Sequence, residues 1–255
     1  MSNIGHWLRK STGARLKYQG ISTLRKAEIK DIAAFVRQIE NLSLVAALML
    51  FRGQPVKGNL IPSIARRHPR KDPRPTETLL LEQLSLMGAA LIQGKDPSAL
   101  ELLVLAQHFG LQTRLLDWTS NPLAALWFAC ADRSDGDVFV YAIEADNLRI
   151  PNVYEQDPFG QSKTRVFQPR LDNPRIIAQD GWFTLHRFSG KSGKFIPLEA
   201  NSDVKGNLSE FRIAAKDRPE ILLSLDRLGV NRRTLFPDLE GLCMHLNWKH
   251  GTDVK

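Results

Sequence analysis

Residues 48–54 read LMLFRGQ, an apolar run that delivers Arg52, Gly53 and Gln54 together at its end. A guanidinium stays charged at any relevant pH and grips phosphate or carboxylate through two parallel hydrogen bonds. A glycine beside it leaves room for a ligand to approach the main chain. Taken alone, these residues fit a structural ion pair beside a turn glycine better than a ligand site. A second stretch, AQHFGLQTRLLDWTSNPLAALWFAC at 106–130, sets unusual polar residues among apolar ones. Gln107 and His108 close a helical segment, where a histidine also complements the terminal dipole. Arg114 and Asp117, three apart on an apolar background, suit a partly buried salt bridge. Thr119 and Ser120 precede a helix, where hydroxyls and free N–H groups either bind an anion or simply cap.

The elements that must position these residues follow from periodicity. Ile29, Ile32, Val36 and Ile39 give KAEIKDIAAFVRQIENL one apolar helical face. LMLFRGQ reads as a strand and IPSIARRHPRKDPRP, with four prolines, as a loop. Thr76 is expected to cap a helix through ETLLLEQLSLMGAALI, and Asp96 to cap a second that has Pro97 in its first turn and ends at Gly110. LQTRLLDWT is a short connecting segment. Ser120 or Asn121 caps NPLAALWFACA, and VFVYAI is a strand after the turn SDGD. Residues 145–175 read as an irregular excursion, GWFTLHRF and EFRIAA as strands, and DRPEILLSLDRL and the segment from Asp238 as helices. This order predicts an α+β fold, a mixed or antiparallel sheet with helices packed around it.

The chain has 255 residues, 43% of them hydrophobic, enough for a sizeable core. No apolar run approaches the ~20 residues that span a bilayer, and the N-terminus lacks a secretory core. A soluble cytoplasmic protein is expected. Cys130 and Cys243 form no pair or cluster with metal-ligand spacing, so no metal is expected. The net charge of +8 is concentrated in residues 1–24, read as a basic arm, and in ARRHPRKDPRP. Such runs attract nucleotides or nucleic acid, although each alone is more often a solvated surface. His6, His68 and His250 lie in polar surroundings, whereas His186 on a strand and His245 on a helix suit satisfied structural roles. No P-loop or GxGxxG occurs.

LFRGQ, AQHFGLQTRLLDWTSNPLAALWFA, NPRIIAQDGWFTLH and TLFPDLEGL together resemble the FRG-domain proteins, named for the triplet seen here as Phe51, Arg52 and Gly53. The blocks occur in order from about residue 29 to about residue 245, and the resemblance implies a single FRG domain over 25–255. Gln112 stands where a proline is common. The family implies a bacterial or phage setting linked to defence or toxin-like roles.

A second resemblance is to arginine-containing ADP-ribosyltransferases, through FRG and WTSNPLAALWFA. It implies NAD as cofactor and an ADP-ribosyltransferase-like fold. Arg52, with Gly53 and Gln54, would hold the pyrophosphate or nicotinamide-ribose side. Gln107, His108 and Arg114 would line the cleft, and Thr119 and Ser120 would shape its floor. The catalytic Glu-x-Glu of those enzymes is replaced by Gln179 and Asp180, which leaves Gln179 and Glu240 as the catalytic candidates. Glu144 and Glu199 are weaker ones. The acceptor would be a protein or nucleic acid. The alternative is a non-catalytic module that binds a nucleotide or nucleic acid, favoured by the absent Glu-x-Glu. A third reading makes Arg52, Arg114 and Asp117 a polar network that only fixes the fold. The sequence leaves the oligomeric state open.

Overall fold

In chain order the elements are β1 (Arg25–Ile29), α1 (Ile32–Ser43), β2 (Met49–Gln54), α2 (Arg74–Met87), α3 (Ala99–His108), β3 (Leu115–Thr119), α4 (Pro122–Cys130), β4 (Val138–Glu144), β5 (Arg165–Phe167), α5 (Pro174–Ala178), β6 (Gly181–Leu185), β7 (Phe188–Ser189), β8 (Lys194–Phe195), β9 (Leu208–Ile213), α6 (Arg218–Arg227), α7 (Arg232–Leu235) and α8 (Leu239–Lys249). This computed structural model describes residues 24–43, 46–92, 97–132, 134–150 and 155–252. All but Leu24 of the expected basic arm lies outside them.

Seven strands form one sheet in the order β1-β9-β4-β2-β3-β6-β5. β1 runs parallel to β9, and the other neighbours are antiparallel. The sheet is therefore mixed, and with the helices it gives the α+β fold expected. β4 shows why its run is apolar throughout. Val138, Val140 and Ala142 enter a cluster with α1, α4 and α6, while Phe139, Tyr141 and Ile143 enter a second cluster on the other face. Strand side chains alternate between faces, so a strand buried on both must be apolar at every position. A third cluster packs α2 and α3 against β3, β5 and β6. No described helix is long and apolar enough to cross a membrane.

Several boundaries differ from the sequence reading. The helix expected from Lys26 begins at Ile32, because Arg25–Ile29 pairs with β9 and Asp31 then accepts the Ala34 N–H at 2.7 Å. Ile29 satisfies either assignment, since it is fully buried in the strand. α2 opens on Pro73 and Pro75 rather than on Thr76. A proline in the first turn loses no hydrogen bond and presets φ. α3 is capped by Ser98, whose hydroxyl accepts from the Glu101 N–H while the Glu101 carboxylate accepts from the Ser98 N–H. Asp96 lies outside the described residues. Asn121, not Ser120, caps α4 by accepting from Leu123 and Ala124. LLDWT is a strand, β3, and the 145–175 excursion contains β5 and the start of α5.

Candidate site at the split between two strands

β2 pairs with β4 along its whole length, yet it meets β3 at one residue pair, Phe51 with Thr119. Past that point the two strands diverge, and the Arg52 side chain bridges them. Its Nη1 donates to the Asp117 carbonyl at 2.7 Å. Its Nε donates to Gln54 Oε1 at 3.3 Å, and its Nη1 lies 3.7 Å from Asp117 Oδ2. Nη2 has no partner among the described residues. The Arg52 side chain is 15% exposed, against 56% for Asp117.

This junction carries excess positive charge. Burial lowers the Arg52 pKa, Asp117 opposes the shift, and Arg66 adds to it. Arg66 is exposed and forms no ion pair among the described residues; its Nε donates to the Ile61 carbonyl at 3.4 Å. His186, fully buried, lies within the fields of both Arg52 and Arg114. Its Nε2 sits 3.0 Å from Thr184 Oγ1, which also accepts from Trp118 Nε1 at 3.0 Å. Burial first, and the two arginines next, push the imidazole down to about 3.

A histidine titrates near 6.5 in an unfolded chain, about where it starts in a peptide. Between there and about pH 3 the unfolded chain binds a proton that the folded one refuses. Stability from this group is complete above 6.5 and falls as the pH drops. Denaturant midpoints should show a loss of about 2 kcal/mol between pH 6.5 and 5 that His186→Gln abolishes. Equal slopes in the two proteins would refute the assignment.

The other expected site residues divide. Gly53 faces α4: an added Cβ would meet the Ala125 carbonyl oxygen at 2.0 Å, so its space belongs to the helix and not to a ligand. Gln54 donates to the Val56 and Gly58 carbonyls at 2.9 and 2.7 Å, shaping the loop after β2. Gln107 donates to Asp117 Oδ2 at 3.1 Å and accepts from Thr113 Oγ1 at 2.7 Å, which places it at the junction. His108 points to Asn173, with Nε2 3.1 Å from Nδ2, and burial with Arg175 nearby lowers its pKa.

The Arg114–Asp117 salt bridge is not formed. Arg114 is buried against Glu77, with Nε to Oε2 at 2.7 Å, and its guanidinium carbon lies 4.5 Å from the Phe159 ring centre. Asp117 pairs instead with Arg52. Alternation along extended chain explains the exchange, since Arg114, just before β3, and Asp117, on it, are an odd number of residues apart and fall on opposite faces.

The Thr119 hydroxyl is occupied, donating to the Gln179 carbonyl at 2.6 Å and accepting from the Asn121 N–H at 2.9 Å. Ser120 is exposed, and its main-chain N–H donates to Asp180. Gln179 donates its amide to the Leu235 carbonyl at 3.0 Å, and Glu240 is an exposed carboxylate 3.7 Å from Arg175 Nη2. These partners tie Gln179 to the α5–α7 contact and Glu240 to the start of α8. Glu77 joined the site without a sequence signal, whereas Arg66 lies in the basic run ARRHPRKDPRP and His186 ends the block NPRIIAQDGWFTLH; only the tertiary fold brings the three near Arg52 or Arg114.

A mixed-sheet α+β domain whose third and second strands part around a bridging arginine is the class that fold and geometry define. Residues 47–138 match the family model described as FRG domain, so the chain carries an FRG domain there, spanning β2 to the first residue of β4. Arg52, Gly53, Asp117 and α4 all fall inside it. No curated protein and no solved structure matches the chain.

Proposed function

We propose that this domain binds a nucleotide, with Arg52 as the residue that reads its phosphate, and that NAD is the first ligand to test. One observation carries the reading: a mostly buried guanidinium leaves Nη2 without a protein partner, near an Arg66 that forms no ion pair among the described residues. A phosphate oxygen supplies an acceptor for that free donor, along with the opposite charge. The Asp117 carbonyl and Gln54 Oε1 hold the guanidinium on Nη1 and Nε, and Gln107 steadies the Asp117 carboxylate, which fixes the plane before any ligand arrives.

Transfer of ADP-ribose from NAD needs a carboxylate over the nicotinamide ribose. Glu240 pairs with Arg175, and Gln179 gives its amide to Leu235, so the proposal is binding and assigns no step to either.

The test is a thermal-shift and calorimetric screen of NAD, ATP and inorganic pyrophosphate. At least one should raise the melting temperature of the wild type. Arg52→Lys keeps the charge but loses the fork, and should weaken binding at least tenfold, about 1.4 kcal/mol. Stabilisation of neither protein at millimolar ligand, or equal affinity in both, would overturn the proposal.

A second reading rests on a separate observation. Arg66, Arg67, Arg70 and Lys71 are exposed on the loop before α2, and Arg74 is exposed at the first residue of α2, with Arg66 close enough to act on Arg52. A single-stranded nucleic acid laid there would show affinity falling with salt by a log–log slope of about −0.7 per phosphate contacted. A salt-independent signal, or none with short RNA and DNA, removes this reading and leaves the mononucleotide or dinucleotide one standing.

A further inference from the structure

On the far side of α4 from β2, a cavity of about 610 Å³ opens between α4, α6, α7 and α8. That size falls within the range of small-molecule sites. Its walls include Trp127, Trp248, Arg218, Arg232, His245 and Asp226. The FRG triplet does not reach it.

Two polar atoms of this wall are buried without a partner: His245 Nδ1 and Arg232 Nε. His245 is only 6% exposed. Its other ring nitrogen, Nε2, lies 3.8 Å from Asp226 Oδ1, beyond hydrogen-bond reach, and its ring stacks on Trp248 at 6.0 Å between centres. Arg232 places its guanidinium over the Phe236 ring at 5.2 Å, and its side chain makes no hydrogen bond or ion pair among the described residues. Native interiors pair nearly all such groups, so two unpaired ones on residues that line one cavity call for an occupant with a hydrogen-bonding edge.

The rest of the wall narrows the occupant. Two indoles favour a flat ring. Arg218 does not serve it: its guanidinium donates to the carbonyls of Cys130, Asp132, Ser134 and Gly136 and so pins the turn between α4 and β4. Asp226 is half occupied, accepting from Asn231 Nδ2 at 2.8 Å, and Asp135 is exposed at the rim. A simple anion would meet these carboxylates, and a hydrocarbon would leave both donors unsatisfied. A ring that accepts on one edge and donates an amino group on the other satisfies both.

We propose that this cavity is a second ligand site, which takes an amino-bearing purine ring. The ring lies against Trp248 and Trp127, its ring nitrogens accept from the N–H groups at Arg232 Nε and His245 Nδ1, and its amino group faces Asp226 or Asp135. The site is separate from the phosphate-reading junction and stands whether or not that junction binds a nucleotide.

Adenosine is the probe, because it carries the ring without phosphate. Titration into the full chain should quench tryptophan emission and saturate with a dissociation constant below about 1 mM, equivalent to about 4 kcal/mol. Arg232→Met and Trp248→Leu should each weaken binding at least tenfold while melting within a few degrees of wild type. Excess pyrophosphate, which addresses Arg52, should leave the adenosine signal unchanged. Loss of the signal on adding pyrophosphate would move adenosine to the strand junction and overturn the proposal. So would no quenching and no calorimetric heat with wild type, or full affinity in both variants. If either variant fails to fold, the shift of the Trp248 indole proton on adding adenosine to wild type decides the matter, an unmoved resonance counting against the site.

Discussion

Gly53→Ala is expected to destabilise the protein by at least about 3 kcal/mol, with a fall of about 6–12 °C in melting temperature for a chain of this size. The new methyl would lie 2.0 Å from the Ala125 carbonyl oxygen and 2.5 Å from the Ala129 nitrogen. Both are main-chain atoms of α4, and no rotamer change relieves them. The helix has nowhere to retreat, because Ala124, Ala125, Leu126 and Ala129 are completely buried on it. Gly136→Ala is the control: its Cβ meets nothing within 4 Å, and the change should stay within about 0.5 kcal/mol. The pair also separates two roles for the glycine of the triplet. If Gly53 made room for a ligand, the alanine variant would fold normally and lose only binding. The contact with α4 predicts the reverse order, loss of the fold first.

That contact shows why part of the site could be read in the sequence and part could not. A strand ending in Arg52 and Gly53 was visible from the apolar run before it, and so was the α4 cap region from Asn121 and Pro122. Nothing in one dimension says what packs against the small residues of α4, Ala124, Ala125 and Ala129. The same limit hid the exchange of partners at the junction. Arg114 and Asp117 are three apart, which reads as a local pair, yet LLDWT is a strand with Arg114 directly before it, and that extended run sends them to opposite faces. Each then finds a partner far along the chain, Glu77 for Arg114 and Arg52 for Asp117. Thr119 and Ser120 looked like free hydroxyls ahead of a helix; the Gln179 carbonyl, sixty residues away, claims the first. Local signals located the elements. Long-range pairings decided which polar groups remained available, and that selection left Arg52 as the residue of the original set with an unpartnered donor in the strand split.

The buried pair of Glu77 and Arg114 yields the second large effect, and it should be asymmetric. Glu77 is 1% exposed and Arg114 is 2% exposed. Glu77 Oε1 accepts the Arg114 main-chain N–H and Oε2 accepts its Nε, both at 2.7 Å. Glu77→Leu removes both acceptors and strands a guanidinium whose Nη2 already lacks a partner. A guanidinium cannot discard its charge, so the cost should reach about 3–5 kcal/mol. Arg114→Leu leaves a carboxylate that can take up a proton and that still accepts from the main chain.

Burial already raises the Glu77 pKa, with Arg114 opposing the shift, and loss of Arg114 lets it rise further. A raised folded pKa gives stability that is present below the unfolded value, near 4.3, and lost as pH climbs through the folded one. The Arg114→Leu penalty should therefore be smaller than that of Glu77→Leu and should shrink as the pH is lowered from 7 towards 5, while the Glu77→Leu penalty carries no such recovery. The double leucine variant should regain stability over Glu77→Leu, because no buried charge is left unpaired. Urea denaturation of the three proteins at both pH values measures each term. An Arg114→Leu protein that keeps wild-type stability but loses nucleotide binding would instead put Arg114 in the ligand site, contrary to its enclosure by Glu77 and Phe159.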